Sequence, residues 1–231
     1  MPVKKLVQIV FPLLFIFSVA DAQKVINLDQ HTPIKKSDKI LYGDTPAERT
    51  EKVEGTPYLN ENFVTGVVYS YYEKYEGVLM RYNIYDDNIE FKQDDQLLVF
   101  DPQPKIMKID LDQSTFVVDS YEQKGKIRLG FFILLDSGKI VLLSKNRVTY
   151  KEQQQPRALD ATPPPARYTR APDDYFYRIG NGVLIKVENI KKMITGFPDK
   201  HMELTEFAKK EKISTNKEDE LIKLVRYYNA L

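Results

Sequence analysis

From residue 63 to about residue 150 the chain is a succession of short runs rich in Val, Ile, Phe and Tyr, broken by turn residues at roughly 8–12-residue spacing. That rhythm is the mark of an antiparallel meander and leaves few other folds open. The runs are 63–72, 78–85, 89–92, 97–100, 106–111, 115–121, 127–135 and 139–150. Between them stand Glu76-Gly77, Asp86-Asp87-Asn88, Asp94-Asp95, Asp101-Pro102, Lys124-Gly125 and Asp136-Ser137-Gly138. Asp, Asn and Gly bend the backbone at low cost, through side-chain hydrogen bonds or tolerance of positive φ. Alternation favours strands over helices. Ile127, Leu129, Phe131, Ile133 and Leu135 share one face, while Phe132 and Leu134 cover the other. Residues 127–135 are therefore the expected central strand. Met80, Tyr82 and Ile84 oppose Arg81, Asn83 and Tyr85, as in a strand buried on one face.

Residues 152–173 read as a Pro/Gln-rich surface loop, from Gln153-Gln154-Gln155-Pro156 to Pro163-Pro164-Pro165, because consecutive prolines have no N–H to give a sheet. The strands resume at 175–179 and 183–187 around Gly180-Asn181-Gly182, a hairpin pattern. After Asn189 the apolar period becomes helical. Residues 190–195 form one short turn, and Asp199 is placed to cap a helix carrying Leu204, Phe207 and Ala208. Thr215 and Glu218 form a capping box ahead of Leu221, Leu224, Val225 and Tyr228. Residues 23–60 are polar and aperiodic. They read as an extended arm crossing the surface, with 25–28 and 40–42 as short strands or apolar plugs. The expected fold is mainly β (α+β): an antiparallel meander of about ten strands rolled into a partial barrel or sandwich over residues 61–189, with the helical segment 190–231 packed on it.

The chain contains no cysteine, so its core rests on apolar packing, and thiolate metal sites, iron–sulfur clusters and cysteine nucleophiles are excluded. Residues 1–22 read as a secretory signal peptide. Lys4 and Lys5 precede an apolar run from Leu6 to Ala20, and Ala20-Asp21-Ala22 supplies small residues before the expected cleavage between Ala22 and Gln23. An uncleaved anchor would need a longer run, and a first strand would not carry the basic flank. Without a cysteine at the junction there is no lipoprotein acylation site. The chain holds 34 Lys and Arg against 33 Asp and Glu, and cleavage would remove two lysines and one aspartate, leaving a formally neutral remainder. Neutral, mixed charge gives no footprint for nucleic acid or for an anionic membrane surface. No later run is long enough to span a bilayer. The expected location is the periplasm or the extracellular space.

Candidate chemistry is sparse. His31 and His201 have no second imidazole at ligand spacing, so both read as exposed histidines. Leu135-Asp136-Ser137-Gly138 lacks the first glycine of a nucleophile elbow and sits between strands. Gly180-Asn181-Gly182 lacks a third glycine and opens a strand, so it is no phosphate cradle. Asp86-Asp87, Asp94-Asp95, Asp110 with Asp112, and Asp173-Asp174 are too short in ligands for calcium and too close in sequence to indicate a glycosidase pair, and all read as turn residues. Tyr69, Tyr71, Tyr72, Tyr75 and the run Tyr175-Phe176-Tyr177 suit sheet-face packing better than sugar stacking, which usually leans on the tryptophan this chain lacks. No catalytic, cofactor-binding or metal-binding residue is expected, and no cofactor.

The strings Gly55-Thr56-Pro57-Tyr58-Leu59-Asn60, Arg81-Tyr82-Asn83-Ile84-Tyr85-Asp86 and Ile89-Glu90-Phe91-Lys92 resemble a group of exported proteins from Bacteroidetes-type bacteria. So do Pro172-Asp173-Asp174-Tyr175, Thr215-Asn216-Lys217-Glu218-Asp219-Glu220-Leu221 and Tyr227-Tyr228-Asn229. The resemblance implies export from a Gram-negative cell and a single module, and brings no activity, ligand or site residue. The leading expectation is an exported, non-enzymatic envelope protein that binds a protein, glycan or lipid partner. The alternatives are a hydrolase whose acid/base carboxylates meet only in the fold, and a barrel holding an apolar ligand.

Overall fold

The structure is a computed structural model. It describes residues 24–27, 53–71, 73–93, 96–153 and 164–231. The proposed signal peptide with its Ala22/Gln23 junction, His31, residues 40–42, Tyr72, Asp94-Asp95 and residues 154–163 lie outside the described residues.

The strands are β1 (Lys24–Asn27), β2 (Val53–Glu54), β3 (Val64–Ser70), β4 (Glu73–Asn83), β5 (Asn88–Gln93), β6 (Gln96–Phe100), β7 (Ile106–Leu111), β8 (Ser114–Gln123), β9 (Lys126–Asp136), β10 (Ile140–Lys151), β11 (Ala166–Ile179) and β12 (Ile185–Lys186). Three helices follow: α1 (Ile190–Gly196), α2 (His201–Lys210) and α3 (Glu218–Ala230). Ten strands form one open sheet in the order β12-β11-β10-β9-β8-β7-β3-β4-β5-β6, and all of these neighbours are antiparallel. In the expected arm, β1 adds parallel to β4 and β2 parallel to β11.

The fold is two meanders rather than one. Strands β3 to β6 run in sequence, and the chain then returns so that β7 pairs with β3. In a flat sheet β6 and β7 would be four strand spacings apart, roughly 19 Å. Residues 101–105 could bridge that only fully extended, yet they contain a turn closed by the Ile106 N–H donating to the Gln103 carbonyl. The sheet must therefore roll. Its inner face carries Val68, Met80, Ile89, Phe91, Phe100, Ile109, Phe116 and Phe131, all essentially without solvent contact, and Phe91 stacks on Phe100 at 4.0 Å. A second core joins Ile140, Leu142 and Tyr177 to helix residues Met193, Ile194, Phe197, Leu204, Leu221, Leu224 and Val225. A third, on the opposite face of the sheet, is Tyr121, Phe132, Leu143 and Phe176.

Several local expectations are corrected. Glu76-Gly77 is a bulge inside β4, not a turn: the register slips between Gly66 and Val67, and Gly77 takes φ +76°. The turn comes earlier, where the Ser70 hydroxyl donates to the Glu73 carbonyl and accepts from its N–H. The Pro/Gln-rich loop ends by Ala166, and Pro172 and Asp173-Asp174 lie within β11. A break in register there, between Lys145 and Arg147 on β10, accommodates a residue with no N–H. Asn189, after which the helical period was read to begin, caps α1 by accepting from the Lys192 N–H. Asp199 does not cap α2; Lys200 precedes it at φ +62°, and Asp199 accepts from the Tyr228 hydroxyl. The Thr215/Glu218 box does not form. Glu220 instead accepts from the Ser214 N–H, and α3 begins at Glu218.

Candidate functional site

Strands β9 and β10 stay paired only at Ile133, Leu134 and Asp136 against Ser144, Leu143 and Leu142. Beyond that point they part. The β8–β9 pair continues to Gln123 and Lys126, and the β10–β11 pair to Lys151 and Arg167, as two separate ribbons. Parting leaves backbone groups of β9 without ladder partners, and buried groups of that kind need new ones.

The β4–β5 turn supplies them. Asp87, held at φ +54°, accepts from the Phe131 N–H at 3.3 Å and from the Tyr82 hydroxyl at 2.7 Å. Its other oxygen receives the Lys145 ammonium at 2.7 Å, and Lys145 also donates to the Phe131 carbonyl at 3.1 Å. One ion pair thus takes over both hydrogen bonds of a missing rung. The ammonium lies over the rings of Tyr121 and Phe132. Burial holds Lys145 below the usual lysine range, with Asp87 acting against it. Gly130 makes the contact possible. A Cβ there would sit 2.7 Å from Lys145 Nζ and 2.9 Å from an Asp87 oxygen.

Between the ribbons, above this seam, lies a cleft of about 440 Å³. Five consecutive β10 residues, Lys145 to Thr149, line it, together with Arg128 and Leu129 of β9. Successive side chains of a strand point to opposite faces, so a lining by consecutive residues means that the cleft runs along the strand's edge. Asn146 is 8% exposed; its amide nitrogen donates to Asp173 at 3.0 Å, and its Oδ1 is buried without a hydrogen-bond partner in the described structure. Arg147 pairs with Asp174, whereas Arg128 has no carboxylate within ion-pair distance among the described residues. The cleft therefore offers an acceptor, a cation and a strand edge.

The residues singled out from the sequence fall mostly elsewhere. Asp86-Asp87 is the turn it was read as, but Asp87 is also the seam carboxylate. Asp110, read as a turn residue, lies instead within β7, held by Lys108 and Thr115, while Asp112 sits in the β7–β8 turn at φ +55°. His201 contacts the Phe197 carbonyl through Nε2 at 2.7 Å. Ser137 and Gly180-Asn181-Gly182 lie in the β9–β10 and β11–β12 connections. Tyr75, Phe176 and Tyr177 are core residues, while Tyr71 is exposed. Among the described residues no group of three or more His, Asp or Glu is placed to hold a metal. Glu218, raised by burial and then by Asp173, lies outside the cleft. At one end of the roll a mouth of about 760 Å³ opens beneath residues 56–62, with Tyr82 and Phe116, 4.9 Å apart, among its lining. Lys145, Asn146 and Arg128 were missed by sequence reasoning. The polar run Ser144-Lys145-Asn146-Arg147 within an otherwise apolar strand was the available signal.

Compared with known protein families, with curated proteins and with solved structures, the chain matches none. No helix among the described residues is long and apolar enough to cross a membrane.

Proposed function

We propose that the chain is an exported, non-enzymatic envelope protein whose rolled sheet is a binding module, and that its cleft takes a short acidic peptide segment of a partner protein in extended form. The observation that carries this reading is the run of consecutive residues Lys145 to Thr149 along one cleft, which marks an accessible strand edge. A peptide adding to such an edge gains affinity from main-chain hydrogen bonds and specificity from alternate side chains. The buried Asn146 Oδ1 is an acceptor for a peptide N–H, and Arg128 a partner for a carboxylate. The carboxylates of the cleft argue for binding rather than hydrolysis, since Asp87 and Asp174 are already engaged by Lys145 and by Arg147 and Lys186, and Asp86 accepts from the Asn83 amide. Export rests on residues 1–22 and on the resemblance to exported proteins.

Two measurements test this. Titrating the ¹⁵N-labelled chain with acidic, neutral and basic tetrapeptides, and with oligosaccharides, should move the amides of residues 128–129 and 145–149 with the acidic peptide. Asn146→Ala and Arg128→Glu should each weaken that binding about tenfold, the loss of one hydrogen bond or charge pair. Shifts confined to other strands, preference for a sugar, or cleavage of the peptide would overturn the reading. N-terminal sequencing of the protein from cell envelope fractions should begin at Gln23; a chain retaining Met1 would refute export by cleavage.

A further inference from the structure

The helical layer carries a second concavity, apart from the β9–β10 cleft. A groove of about 680 Å³ lies between α1 and α2, within the size range of small-molecule pockets. Its apolar lining is Ile190 and Ile194 of α1, Ala208 of α2 and Ile213 just after it. Its charged lining is Lys191, Lys209 and Lys212, with His201 beside them, and no carboxylate lines it.

The pairing of lysines around it is uneven. In the same segment Lys192 pairs with Glu188, Lys200 with Glu203, Lys217 with Glu220 and Lys223 with Glu211. The three groove lysines have no carboxylate within ion-pair distance among the described residues. Opposite charges three or four residues apart on a helix attract each other. Three of the four unpaired lysines of the segment, all but Lys210, converge on one apolar trough. Lysine stems extend apolar surface while their ammonium groups stay at the water boundary, so the groove is apolar below and cationic above.

We infer that this groove binds a free single-chain amphiphile with a carboxylate head, a fatty acid, its tail along Ile190, Ile194, Ala208 and Ile213 and its head among Lys191, Lys209 and Lys212. A tail alone would fit the floor, but the three ammonium groups then would have no counter-charge. A short anion alone would leave the trough empty.

The test is calorimetric titration of the full mature chain with laurate below its micelle concentration. One-to-one binding is expected, with dodecanol and dodecyltrimethylammonium at least tenfold weaker. Lys209→Gln with Lys212→Gln should weaken laurate at least tenfold with little change in melting temperature, since both side chains are exposed and neither change puts a negative charge at the C-terminal end of α2. Ile194→Asp would risk the core, so Thr205→Trp, which fills the groove from its rim, serves as the second variant and should also weaken binding. Absence of laurate binding, or equal binding of the cationic amphiphile, would overturn the proposal. So would co-sedimentation with phosphatidylglycerol vesicles without binding of free laurate, which would make the face a membrane dock. Peptide binding in the β9–β10 cleft is unaffected by these variants, so the two sites stand or fall separately.

Discussion

At the scale of single residues the molecule depends on a few side chains standing in for backbone. Asp87 and Lys145 satisfy the N–H and carbonyl of Phe131 where β9 leaves β10. Replacing Asp87 by Ala strands a largely buried ammonium and an amide, and should cost about 3 kcal/mol in denaturant unfolding. Adding Lys145→Met should restore part of that loss, because the charge left unpaired is then gone. Gly130→Ala should cost about 1–3 kcal/mol, since its methyl would push on Lys145, Asp87 and Tyr121 at once. Beyond the polar run at residues 144–147, none of this was legible in the sequence. Lys145 looks like any solvated lysine in a strand, and its burial depends on two strands parting and a turn from 58 residues away entering the gap. The carboxylate pair Asp86-Asp87, by contrast, was read correctly as a turn because turn chemistry is local.

At the scale of elements, boundaries set by hydrophobic alternation and turn residues agreed with the structure for β5 to β10, and those set by capping patterns did not. Residues 106–111 match β7 end to end. The helices themselves follow their apolar periods, with Leu221, Leu224, Val225 and Tyr228 buried as spaced. Their starts differ because a capping box competes with other partners for the same groups. Glu220 reaches the Ser214 N–H, and Asp199 is taken by Tyr228. The consequence is measurable: Asn189→Ala should destabilise by about 1 kcal/mol, as loss of a working N-cap does. Thr215→Ala should change stability by less than about 0.5 kcal/mol, as a substitution at a half-buried position outside any working cap does. Thermal or urea unfolding of the two variants side by side checks the pair. The candidate cleft was unreadable at this scale too, because nothing in a strand's own sequence says where its neighbour leaves it.

At the scale of the whole molecule the abundance of tyrosine makes stability depend on alkaline pH. Tyr58 is pushed up to about 12, by burial first and then by Glu90. Tyr82 is raised by burial and then by Asp87, and Tyr121, Tyr175 and Tyr177 by burial. A hydroxyl whose folded pKa exceeds its unfolded value near 10.0 contributes stability that is complete below pH 10 and is lost as pH rises through the folded value. Lys145 acts in the opposite sense, its depressed ammonium favouring the folded state as pH rises toward 10.5, but it is one group against several. Unfolding free energy should therefore fall above pH 10, with part of the tyrosinate absorbance appearing only as the chain unfolds. Full tyrosinate absorbance in a still-folded chain would contradict this. The short link between β6 and β7 has a last consequence at this scale. Residues 101–105 act as a tether whose length is fixed by covalent bonds, so the roll of the sheet has a mechanical limit as well as a packing origin. A variant with an eroded interior, Phe91 and Phe100 cut back to alanine, would loosen inside and still be unable to lie flat while its turn and its strand pairings hold.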